Sequence, residues 1–155
     1  MNKSEHSIDI QYAINADTLP GPDDIRCWAE TALLETTQAT ELVIRVVDEV
    51  EMTALNHRYR GKDGPTNVLS FPAEPHPEMA SNLLGDVVIC APVIAQESVT
   101  QQKTPEAHWA HLVIHGVLHL LGYDHDTDEQ AQRMESCEAR LLEALGINDP
   151  YQEMA

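Results

Sequence analysis

A chain of 155 residues with 43% hydrophobic and 23% charged content is expected to form one globular domain with a real core, and not a disordered or fibrous assembly. Its formal net charge of −17, from 26 acidic against 9 basic residues, argues against a broad nucleic-acid-binding face, because phosphate affinity rests on many Lys and Arg contacts. No apolar run approaches the roughly 18 to 20 residues that span a bilayer, so no membrane association is expected. In chain order, Ile8 to Ile14 alternates as a half-buried strand does. Pro22, Asp23 and Asp24 then precede Ile25, Trp28, Ala29, Ala32 and Leu33, whose steps of three and four predict a helix from Pro22 to about Gln38. Leu42 to Val47 is short and β-branched, hence a strand. Asp48 or its neighbours cap a short helix carrying Met52, Leu55 and Tyr59 that stops near Gly61.

Gly61-Lys-Asp-Gly-Pro65 is a turn by composition. Thr66 to Phe71 reads as a strand ended by Pro72, Ala73 to Asn82 as an exposed loop, and Leu84 to Cys90 as a strand interrupted early by Gly85-Asp86. Pro92 opens a helix running to about Lys103, and Pro105 opens another that is apolar nearly all round and ends at Gly122. A last amphipathic helix covers roughly Asp128 to Leu145, with Ala131, Met134, Cys137, Leu141, Leu142 and Leu145 on one stripe and Gly146 behind it. The order predicts an α+β domain, a roughly four-stranded sheet packed against about five helices, with the histidine-bearing helix central and buried. Strand order does not follow from the sequence. The cysteines, Cys27, Cys90 and Cys137, are odd in number and form no CxxC pair, so they read as buried thiols in a reducing compartment. Met1 to His6 carries no apolar stretch of the kind that marks a signal peptide. A cytoplasmic location is expected.

The chemistry concentrates in His115-Gly-Val-Leu-His119-Leu-Leu-Gly122-Tyr-Asp-His125. A lone histidine on an apolar helix is ordinarily a packed core residue. Here a step of four residues puts His115 and His119 on one face, one turn apart, and Gly122 supplies a residue able to end the helix at positive φ. His125 can then swing back to the same point. Three imidazole nitrogens leave a tetrahedral ion with an open fourth position, the arrangement of a catalytic zinc. Nickel or copper also suits such donors. His111, four residues before His115, shares the stripe and is a fourth ligand, a supporting partner or a packed residue. The non-ligand role is preferred, since a fourth imidazole would close the site. The spacing is that of the His-Glu-x-x-His-x-x-Gly-x-x-His metalloproteases, but their glutamate base is Gly116 here. Asp86, Asp124 and Asp126 are expected in supporting roles. Arg58, Arg60 and Lys62 form the one local basic cluster, and Arg60 on a glycine-bounded turn could aim its planar fork of donors at an anion beside the metal.

Tyr59-Arg-Gly-Lys-Asp63, Pro65-Thr-Asn-Val-Leu-Ser-Phe-Pro72, Leu84-Gly-Asp-Val-Val-Ile89 and the three-histidine element together closely resemble the bacterial YbeY family of metal-dependent endoribonucleases, also described as ribosomal RNA maturation factors. The resemblance spans about half the chain. It implies that His115, His119 and His125 hold one zinc ion and that Arg60 is the functional arginine; Lys62, in the same basic cluster, is read from the residues as a further candidate substrate contact. It also implies a role in 16S rRNA 3′-end maturation and ribosome quality control, with the small ribosomal subunit or assembly proteins as partners. Two other readings stay open at this point. One is a non-catalytic assembly factor with a structural metal; the other is a metal-dependent protease or amidase.

Overall fold

The computed structural model describes residues 6–15, 17–73 and 82–151. Nine elements follow one another as β1 (Ser7–Tyr12), α1 (Pro22–Leu33), β2 (Glu41–Val47), α2 (Glu49–Arg60), β3 (Val68–Pro72), β4 (Leu83–Cys90), α3 (Ala91–Thr100), α4 (Pro105–Leu120) and α5 (Asp128–Ala144). This is the expected α+β order. The four strands form one mixed sheet in the order β1-β2-β4-β3. β1 and β4 run parallel to β2, and β3 returns antiparallel to β4 as an edge strand.

The strands alternate because each face meets a different layer. Leu42, Ile44, Val46, Val87 and Ile89 point to the larger core, which they share with Trp28, Val113, Val117, Leu118, Met134 and Leu142 of α1, α4 and α5. Val47, Leu69, Val88 and Cys90 point the other way and close over Met52 of α2. α4 is buried on nearly every face; His108 and His111 lie inside, while His115 and His119 are half-buried.

Local chemistry sets most element ends. The Asp48 carboxylate accepts the Glu51 backbone N–H at 2.9 Å and starts α2, and Gly61 ends it at φ +64°. Thr104 caps α4, and Thr127 with Gln130 forms a reciprocal capping box on α5. Some expectations need correction. α1 stops at Leu33 and not near Gln38, because Leu34 is 74% exposed and further helix would bury nothing. α3 likewise ends at Thr100, beyond a Val99 that is 80% exposed. β3 begins at Val68 and not Thr66, and it ends on Pro72, which an edge strand tolerates. Cys27 is exposed, whereas Cys90 and Cys137 are buried, and all three are free thiols. Most of the 73–82 loop lies outside the described residues.

Gly85 does not interrupt β4. The register slips there, Glu41 pairing with Leu83 but Leu42 with Gly85, so Leu84 is an extra residue in a bulge. Gly85 takes φ +147°, and a Cβ would stand 2.3 Å from the Phe71 carbonyl oxygen. Only glycine lets β3 and β4 approach at this point. Gly85→Ala is therefore expected to cost about 3 kcal/mol and to lower the melting temperature by roughly 6–12 °C. Gly21→Ser, at a helix N-cap where a Cβ meets nothing within 4 Å, should stay within about 0.5 kcal/mol of the parent. Paired thermal melts check both.

Candidate metal centre

The helical step of four brings His115 and His119 together on α4, with ring centroids 4.6 Å apart. Gly122 then turns the chain at φ +106°. Its N–H bonds the His119 carbonyl at 3.1 Å, and the Tyr123 N–H bonds the Leu118 carbonyl at 3.0 Å, the paired bonds that close a helix behind a left-handed glycine. Two contacts anchor the returning segment. The Tyr123 hydroxyl donates to Glu35 at 3.2 Å, and Asp124 accepts the His125 backbone N–H at 2.8 Å. His125 arrives 4.9 Å from the His119 ring and 5.9 Å from the His115 ring. One ring nitrogen from each of the three then lies within 4.8 Å of the others.

The donor set fits a cation. Burial, reinforced by His115 and His125 alongside, holds the His119 imidazole below its ordinary value, which keeps it neutral with a lone pair to give. His115 and His119 are half-buried and His125 is exposed, so the cluster has an open side. Three imidazoles and an open side match a zinc centre with an exchangeable fourth position. The cluster opens into a cavity of about 560 Å³ whose other wall is β3 and its approach, from Thr66 to Pro72.

Arg60 lines the same cavity. It is the last residue of α2, and Asn56 fixes the turn that follows by donating to the Gly64 carbonyl at 2.9 Å. The other two basic residues of the cluster lie elsewhere. Arg58 stacks over Tyr59, 5.4 Å from the ring centroid, and Lys62 is exposed and does not line the cavity. Asp124 and Asp126 flank His125 on an exposed turn, while Asp86 is exposed on β4 and outside the cavity lining.

His111 does not join the three. Its Nε2 meets Glu138 at 2.8 Å and the Tyr151 hydroxyl at 3.0 Å. His108 pairs with Glu97 at 2.8 Å, and Glu97 accepts from Asn67 at 3.1 Å, tying α3 and α4 to the start of β3. Glu138 was not singled out from sequence. Burial alone would raise its pKa, yet hydrogen bonds from His111 and His115 hold the carboxyl down at about 2. A signal for it exists. Residue 138 falls on the apolar stripe of α5 among Met134, Cys137, Leu141 and Leu142, and a glutamate there must be buried.

Gly116 has a structural reason to be glycine. A Cβ at this position would stand 2.7 Å from Val87 Cγ1 and 3.2 Å from Val68 Cγ2. The residue after the first histidine therefore faces the sheet, and its carbonyl accepts from the Ser70 hydroxyl at 2.8 Å. A glutamate base at 116 has no room. Gly116→Ala is expected to destabilise by about 1–2 kcal/mol, overpacking outweighing the helix propensity gained. Adding Val87→Ala should recover part of that loss in a double-mutant cycle followed by urea unfolding.

Among solved structures, the solution structure of TM1509 from Thermotoga maritima aligns over 94% of this chain and 99% of that one, with a TM-score of 0.58 and 23% identity. At that identity the likeness speaks to the fold. A family model described as endoribonuclease YbeY matches residues 15–146. The motifs around Arg60, Val68–Pro72, Leu84–Ile89 and His115–His125 all fall within that span, and the chain belongs to the YbeY endoribonuclease family.

Proposed function

We propose that this protein is a zinc-dependent endoribonuclease that matures the 3′ end of 16S rRNA and serves ribosome quality control in the cytoplasm. Its expected partners are the small ribosomal subunit or that subunit's assembly proteins. The observation that carries the reading is the sharing of one open cavity by three imidazoles and the Arg60 guanidinium. Family membership supplies the class of substrate, RNA.

His115, His119 and His125 would hold the ion. When bound, zinc supplies Lewis acidity, polarising a phosphoryl oxygen and acidifying water. Arg60 binds the scissile phosphate with its fork of donors and neutralises charge that builds on phosphorus-bound oxygens during attack. β3 forms the wall against which the RNA lies, so the cavity orients the strand and excludes bulk water on one side. Lys62, exposed two residues beyond Arg60, meets the RNA backbone outside the cavity. Peptide hydrolysis by the metalloprotease route is disfavoured, because position 116 faces the sheet and offers no base.

Zinc content and cleavage of a 16S 3′-end RNA, measured on three proteins, test this reading. The parent protein should hold about one zinc and cleave in a chelator-sensitive way. His115→Ala should lose both properties. Arg60→Glu should keep its zinc but cleave at least about a hundredfold more slowly. Cleavage that survives in His115→Ala, or parental rates in Arg60→Glu, would overturn the assignment. A 2′,3′-cyclic phosphate on the product would transfer the attack from water to the ribose hydroxyl.

A further inference from the structure

We propose that Glu138 is a positioning residue for the metal centre: its carboxylate accepts a hydrogen bond from Nδ1–H of His115 and thereby turns Nε2 of that ring toward the cation. The inference rests on the reading of His115 as a ligand. Glu138 lies on α5, is fully buried, and packs among Met134, Cys137, Leu141 and Leu142. A buried carboxylate is costly unless hydrogen bonds satisfy it, and a leucine on the same stripe would avoid that cost. The fold alone gives no reason for the charge.

The hydrogen bonds supply one. Glu138 Oε2 lies 3.2 Å from His115 Nδ1. Oε1 accepts from the Tyr151 hydroxyl at 2.6 Å and from His111 Nε2 at 2.8 Å. Tyr151 is itself set by its backbone N–H on Asp149 at 2.8 Å and by an edge-on contact with the His111 ring at 5.4 Å. The Tyr151 hydroxyl also reaches Oε2 at 3.1 Å and His115 Nδ1 also reaches Oε1 at 3.3 Å, so both oxygens are shared, and the ligand histidine meets the carboxylate through Nδ1. An ionised carboxylate can only accept, so the His115 proton sits on Nδ1 and the lone pair on Nε2. A carboxylate behind a metal-binding imidazole also strengthens that nitrogen as a donor. His111 has a defined part in this arrangement: it occupies the stripe position one turn before His115 and spends its Nε2 on the carboxylate.

The test compares the parent chain, Glu138→Gln and Tyr151→Phe. Imidazole nitrogen NMR on the metal-free proteins reads the His115 tautomer, and competition with a chromophoric chelator reads zinc affinity. The Nδ1–H form is expected in the parent and a mixture in Glu138→Gln. Zinc affinity should fall about ten- to a hundredfold in Glu138→Gln and less in Tyr151→Phe. An Nε2–H tautomer in the parent, or parental zinc affinity in both variants, would overturn the proposal. So would a second zinc in the parent that Glu138→Gln removes, which would make Glu138 a ligand. If Glu138→Gln does not fold, the parent tautomer and Tyr151→Phe decide. A parent that binds no zinc would defeat the metal reading alone, since the tautomer is measured without metal.

Discussion

Where α4 crosses β3 and β4, a missing side chain at Gly116 lets the helix backbone settle against Val87 and Val68, and Ser70 bonds the helix carbonyl at the same point. That contact fixes the distance between the histidine helix and the edge strand, and so the width of the cavity between them. It also decides the chemistry. The position that carries a glutamate in the metalloproteases is turned into the sheet here, so a shared histidine spacing does not bring a shared general base. One close packing contact builds the site and leaves no room for a side chain at 116.

Convergence of the three imidazoles depends on a chain of small local devices. α4 is started by Thr104 and stopped by Gly122, which aims the next residues back along the helix. Tyr123 then reaches Glu35, a carboxylate that also accepts from Arg140 at 2.9 Å, so the returning segment is tied to both α1 and α5. The hydrogen bond with the Cys137 thiol, and then burial, push the Tyr123 phenol up to about 12, and it stays a donor at any physiological pH. His125, the outermost of the three rings, is held by its backbone and not by burial. In an acidic chain the site has His119, held below its ordinary pKa by burial, at its floor and the Arg60 guanidinium at its wall.

Much of this was legible in the sequence because it is local. Asp48, Gly61 and Gly122 act within a few residues of themselves, and the four-residue step of His115 and His119 is a property of any helix. What escaped is what depends on distant packing. The expected α1 runs too long because its apolar stripe ends at Leu33 and nothing local marks the stop, while Leu34 faces solvent. The reading of Cys27 as buried failed because a small apolar residue on a helix says little about which face it takes. Strand order, and β3 as the exposed edge beside the cavity, are set by the whole sheet. Glu138 and Glu97 meet their histidines across 23 or more and 11 positions of chain respectively, and no short motif announces either pair.

The most direct measurement is X-ray absorption at the zinc edge of the loaded protein. Three imidazole nitrogens at about 2.0–2.1 Å with one further light scatterer is the shell this account predicts. A fourth protein ligand, whether His111 or the Glu138 carboxylate, or an oxygen-dominated shell of higher coordination would contradict it.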